Sequence, residues 1–189
     1  MSQRGFSLLE LLMAMAVIIT VAAIAIPHLL HARMSANEVS AVGSMRTLQD
    51  AQAAYSMSHP DQGYSCSLEE LGPTGKGSGA SATNADLIDN QLTTGKKSGY
   101  VFQITGCGSN SPQTSYTITA VPEINGTTGS LFFCVHQDGI IHYAANGGAA
   151  GCVAHGIPLT ESKAAPLDNP GDDAAAGGTA SAASNPSAN

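Results

Sequence analysis

The sequence predicts an α+β fold: one long N-terminal helix packed on a four-stranded antiparallel sheet, with a disordered C-terminal tail. Three observations carry this expectation. Residues 6–26 form an apolar run of twenty-one residues with a single charge, Glu10. Beyond Pro27 the helical pattern resumes, with Val42, Met45, Leu48, Ala51 and Tyr55 three or four apart on one stripe. Four short stretches of alternating apolar residues then follow between residues 100 and 144, separated by turn-forming residues.

The chain opens on a polar leader, residues 1–5, that contains Arg4. An ordinary secretory signal is cut after its apolar core, beside small residues. Here the cut is expected before the core, between Gly5 and Phe6, so that the apolar segment stays on the mature chain. At 1.5 Å per residue, residues 6–26 make a helix of about 31 Å, the thickness of a bilayer's hydrocarbon core. Arg4 assigns the N-terminus to the cytoplasmic side, with Arg33 as the one competing charge beyond the other end. The segment is therefore expected to span a membrane, with the rest of the chain on the side away from the cytoplasm.

Pro27 removes a backbone donor, which predicts a kink or local break there. Residues 27–58 form the amphipathic half of the helix, with Ser44, Arg46, Asp50 and Ser56 off the apolar stripe and His59-Pro60 as the stop. Residues 59–98 read as a connecting region. Within it, residues 67–71 suit one helical turn, residues 72–83 are Gly- and Ser-rich and read as flexible, and residues 84–90 suit a second short helix. Residues 99–160 hold the sheet. Strands are predicted over 100–105, 115–121, 131–136 and 140–144, the last two joined by a type I′ hairpin at Asp138-Gly139. From Glu161 to the end the chain is mostly Ala, Gly, Ser, Pro and Asp, the composition of a disordered tail.

Composition narrows the function classes. Only 11% of residues are charged, Gly and Pro number 21 and 9, and net charge is −7. That balance suits a loop-rich extracellular module and argues against nucleic-acid binding by the isolated domain. Cys66, Cys107, Cys134 and Cys152 all follow the membrane segment, and none forms a C-x-x-C pair. An even count in an exported domain points to two disulfides rather than a zinc site. Four cysteines allow three connectivities. Cys66–Cys107 with Cys134–Cys152 is favoured because each closes a shorter loop beside the sheet, each bridge contributing about 2–4 kcal/mol.

No catalytic set, cofactor or metal site is expected. His28 and His31 are three apart on the helix, and His136 and His142 flank the last hairpin, but no acid or thiolate stands at ligand spacing. Asp138, Asp168, Asp172 and Asp173 are too scattered for a calcium loop. No phosphate-binding glycine loop follows a strand, and no Ser, His and Asp set stands in a usable order. Asn125-Gly126-Thr127 is a glycosylation sequon that matters only where a glycosylation system meets it, and its favoured role is a turn. Stacked-aromatic conduction along the helix is disfavoured, because before His59 it holds only Phe6 and Tyr55.

Gly5-Phe6-Ser7-Leu8-Leu9-Glu10, followed by the long apolar helix and by proline at residue 27, resembles the class III signal of type IV pilins and pseudopilins. The order of long helix, connecting loop, antiparallel sheet and cysteine-bearing C-terminal region is also similar to the pilin fold. The resemblance implies cleavage after Gly5 by the prepilin peptidase and N-methylation of Phe6. It also implies a role for Glu10 in assembly, through the N-terminal amine of a neighbouring subunit. Physics gives that carboxylate a reason: a charge deep in a bilayer costs roughly 2.5–3.5 kcal/mol, and an amine partner offsets part of the cost. The implied partners are copies of this chain and other pilins in a helical filament, the peptidase, an assembly platform and the inner membrane before assembly. The expected function is a non-enzymatic structural subunit of a type IV pilus-like filament, extracellular once assembled. The alternative is a type II secretion pseudopilin in a periplasmic filament. A membrane-anchored binding module that never polymerises is a third class.

Overall fold

The computed structural model describes residues 7–74, 79–109 and 111–160. The leader 1–5, Phe6, part of the Gly- and Ser-rich stretch (75–78) and the tail from residue 161 lie outside the described residues. Helix α1 spans Leu8–Ser58, 51 residues and about 76 Å of rise. It runs through Pro27 without interruption, so the expected local break does not occur. A proline deletes a single backbone hydrogen bond, and the long helical stretches on either side hold the turn together.

The connecting region carries α2 (Leu68–Leu71) and α3 (Asn90–Thr93). Ser67 caps α2 by accepting from the Glu70 N–H. The second short helix starts later than residues 84–90 suggested. Backbone N–H groups of Ala85, Asp86, Leu87 and Ile88 donate instead to carbonyls of Glu70, Gly72 and Leu71, which ties this stretch to the end of α2. A helix begins only where Asp89 caps it, accepting from the Leu92 N–H at 2.7 Å.

Six strands follow in sequential order, each antiparallel to its neighbours: β1 (Lys96–Lys97), β2 (Tyr100–Thr105), β3 (Thr117–Pro122), β4 (Phe132–His136), β5 (Ile141–Ala144) and β6 (Ile157–Pro158). The four expected strands are β2 to β5. The other two are two-residue edge strands, too short for alternation to reveal. Both edges carry residues that discourage further pairing, lysines on β1 and Pro158 on β6.

The hairpin turns also differ from expectation. Asp138-Gly139 does join β4 to β5, but only Gly139 has a positive φ (+78°), and its N–H donates to the His136 carbonyl. With glycine alone in the left-handed position, this is not a type I′ turn. The Asp138 carboxylate accepts from the Ile140 N–H at 3.1 Å, which closes the loop locally. The two-residue turn with both φ positive is Ser98-Gly99 (+50° and +73°), between Lys97 and its partner Tyr100.

One face of the sheet packs on α1. Ala41, Met45, Leu48, Ala51 and Tyr55 meet Tyr100, Phe102, Ile104, Tyr116, Ile118, Ala120, Phe133, Val135 and Ile141 in one buried cluster, closed at the side by Leu71, Ala85, Ile88 and Leu92. Ser44, expected off the stripe, is buried, because the buried face is centred nearer residues 41, 45 and 48 than Val42, which is only half-buried. The opposite face is partly covered by α4 (Gly148–His155), where Phe132, Cys134 and Cys152 form a second small cluster with Val121 and Ala144. Cover on both faces explains why Phe132, Phe133, Cys134 and Val135 are buried in succession.

Candidate functional site

Helix α1 divides into two halves with opposite fates. From Leu8 to Arg33 every described side chain is exposed except the half-buried Ala22. Leu8, at 81% exposed, and the large apolar residues through Leu30 join neither of the two buried clusters formed by the described residues. Leucine, isoleucine, valine and methionine dominate this surface, which is far larger than a soluble monomer exposes. The helix is long and apolar enough here to cross a membrane. Its single hydroxyl midway, Thr20, donates back to the Val17 carbonyl at 2.8 Å and so needs no water.

At the start of α1, Ser7 acts as cap through its backbone. Its carbonyl accepts from the N–H groups of Glu10 (3.1 Å) and Leu11 (3.2 Å), and its side chain makes no cap bond. Glu10 therefore stands in the first turn, exposed, where the helix dipole favours a negative charge. Among the described residues it has no ion-pair partner. Gly5 and Phe6 lie outside the described residues, and Pro27 is an interior helical residue.

The second half of α1 is bolted to the domain by polar side chains that lie in register with the apolar stripe. Glu38, Ala41, Met45, Leu48, Gln52 and Tyr55 recur at spacings of three and four, and all are buried. Glu38 is 5% exposed, and one of its carboxylate oxygens accepts from Ser130 N–H (2.7 Å), the Ser130 hydroxyl (2.9 Å) and Leu131 N–H (3.3 Å). Asn37 donates to the Thr128 carbonyl at 2.8 Å, and Ser40 bonds Ser98 at 2.8 Å. Gln52 pairs with the backbone of Ser65 in both directions, each at 2.9 Å. Tyr55 donates to the Ala82 carbonyl at 2.7 Å. Sequence reasoning passed over Glu38 and Gln52 because both are polar. Their place on the three-four repeat was the signal available.

The phenols respond to this environment. Burial, then the nearby Glu38 carboxylate, raises the Tyr100 pKa well above the ordinary phenol value, while its hydroxyl donates to the Leu131 carbonyl at 2.9 Å. Burial, then Tyr64 and Asp138, pushes Tyr116 up to about 12. Burial, then Glu70, raises Tyr55.

The cysteines are bonded as Cys66–Cys107 and Cys134–Cys152, with Cα separations of 6.0 and 5.9 Å. The first ties the connecting region to the end of β2, and the second pins α4 to β4. His136 and His142 approach, with ring centroids 6.4 Å apart. The His136 ring bonds the Thr117 hydroxyl at 3.0 Å, and His142 Nδ1 donates to the Ile140 carbonyl at 3.0 Å. His28 and His31 are exposed on α1. No group of three His, Cys, Asp or Glu suited to a metal ion occurs among the described residues.

Comparison with protein families gives one match. Residues 1–26 fit the prokaryotic N-terminal methylation motif, the class III signal of type IV pilins and pseudopilins. Comparison with curated proteins and with solved structures gives no significant match. The chain thus carries a pilin-type precursor signal on a long helix that is joined to an antiparallel sheet.

Proposed function

We propose that this chain is a structural subunit of a type IV pilus-like filament. It enters the inner membrane as a precursor, with its domain on the periplasmic side. The prepilin peptidase cuts after Gly5, Phe6 becomes the N-methylated terminus, and an assembly platform draws the apolar helix into a bundle of like helices. One observation carries the reading. A single unbroken helix serves as core for its own domain over residues 38–55, yet residues 8–33 find almost nothing to bury against among the described residues. A bilayer covers that surface first, and neighbouring copies cover it in the filament. Such a head-to-tail contact does not close on itself and so builds an open helical polymer.

Glu10 has a defined part in this scheme. Among neighbouring helices, its carboxylate meets the new N-terminal amine of Phe6 on another subunit and sets the axial register. No step of catalysis is assigned to this chain, which is the peptidase's substrate. The processing step is tested by replacing Gly5 with Ala and reading the N-terminus of the full chain by mass spectrometry. Wild-type protein should begin at a methylated Phe6, and the Gly5→Ala chain should keep residues 1–5. A variant that still begins at Phe6 would overturn the cleavage assignment.

A further inference from the structure

The connection between β3 and β4 has a fastened base and a free tip. At the base, Glu123 pairs with Lys96 at 2.8 Å, and the Thr128 hydroxyl bonds the Ile124 backbone. The Thr128 carbonyl accepts from Asn37, and Ser130 donates to Glu38. Every polar side chain there is engaged. The tip is the turn Asn125-Gly126-Thr127, all three residues exposed. Neither the Asn125 amide nor the Thr127 hydroxyl has a hydrogen-bond partner among the described residues, in contrast to the bonded side chains around them. Gly126 has a positive φ (+78°), and a Cβ built on it meets nothing within 4 Å. This is also the chain's only Asn-x-Ser/Thr triplet without proline in the middle, since Asn185-Pro186-Ser187 has one.

We propose that Asn125 is an acceptor for N-linked glycosylation, the donor being an oligosaccharide carried on a polyprenyl pyrophosphate. The amide nitrogen of Asn125 bonds the anomeric carbon of the sugar. The bond from that carbon to the pyrophosphate oxygen breaks, the lipid pyrophosphate departs, and the amide gives up one proton. No oxidant or reductant is needed. The Thr127 hydroxyl, two residues on, is the recognition handle that such a transfer requires, and the open turn leaves room for a bulky glycan. Placement adds a second reason. The loop is fastened to α1 at Asn37 and Glu38, eleven or twelve residues past Ile26, or about 16–18 Å along the helix. A lipid-borne donor reacts near the bilayer face, and the fold holds Asn125 in that zone while the subunit is still anchored.

The inference rests on the proposed function only for the placement of the domain outside the cytoplasm. It is tested on the full chain purified from the cells that encode it, by peptide mass mapping after cleavage at glutamate. The peptide containing Asn125 should carry a mass increment made of sugar residues. Asn125→Gln and Thr127→Ala should each abolish it, and Thr127→Ser should retain it. An unmodified Asn125 in the wild-type chain, or an increment that survives Asn125→Gln, overturns the proposal. The N-terminal peptide of the same digest reports cleavage after Gly5 separately. A glycosylated but uncut chain would therefore count against the filament reading alone.

Discussion

Replacing Glu38 by Ala removes the acceptor that joins α1 to the β3–β4 connection. The oxygen lost serves three donors, two of them backbone N–H groups, from a side chain only 5% exposed. A hydrogen bond to a charged group contributes about 1.5–3 kcal/mol, and an orphaned buried donor costs about 1–3 kcal/mol. The contact at 3.3 Å is the weakest, and the Ser130 hydroxyl can turn to another acceptor. The net loss expected is therefore about 2–4 kcal/mol, most of it from the Ser130 N–H at 2.7 Å. Glu38→Gln keeps an oxygen acceptor and should lose about 1 kcal/mol. The assay is urea unfolding of the full chain in mild detergent, followed by the near-ultraviolet signal of its tyrosines. Spectroscopic titration adds an independent reading: without the Glu38 charge the Tyr100 pKa should fall, while burial still holds it above the ordinary phenol value. If Glu38→Ala unfolds at the wild-type urea midpoint and leaves Tyr100 unmoved, the bolt between helix and sheet is not what the geometry implies.

Two further outcomes follow from the same structure. Gly99→Ala should destabilise by about 1–2 kcal/mol, because its φ is +73° and a Cβ would come within 2.8 Å of Thr128 Cβ; thermal unfolding checks this, and an unchanged midpoint would contradict it. Alkali should unfold the domain: with Tyr116 raised to about 12, the unfolded chain loses the phenol proton first, so this contribution is intact below about pH 10 and lost as pH rises through about 12. A pH series of unfolding midpoints should show a shallower decline for Tyr116→Phe over that window, and an identical slope would refute the assignment.

Much of this fold is legible from pattern alone. The spine and strands β2 to β5 carry enough alternating or periodic residues for burial to dictate their form. What escaped detection falls below that threshold. Strands β1 and β6 have two residues each, so alternation cannot register in them. Helix α4 is eight residues of Gly, Ala, Cys, Val and His, whose position depends on the Cys134–Cys152 bond rather than on an apolar stripe. The stretch before α3 is governed by hydrogen bonds to α2, a long-range choice that local propensity cannot foresee. Glu38 and Gln52 were hidden for a different reason. Polarity argues for the surface until their partners, the Ser130 and Ser65 backbones, are known. In the candidate assembly segment, the exposed apolar face and the first-turn carboxylate were both readable because neither depends on a contact within the chain.

The most direct measurement is the amount of this chain in sheared filaments when Glu10 is replaced by Ala. In the proposed filament, removing the carboxylate would leave the Phe6 amine of a neighbouring subunit unpaired among apolar helices, a loss of about 3 kcal/mol or more. Filament assembly by amine–carboxylate register predicts incorporation reduced about a hundredfold or more, with membrane insertion and urea unfolding of the domain unchanged. Equal incorporation of the Glu10→Ala chain would contradict it.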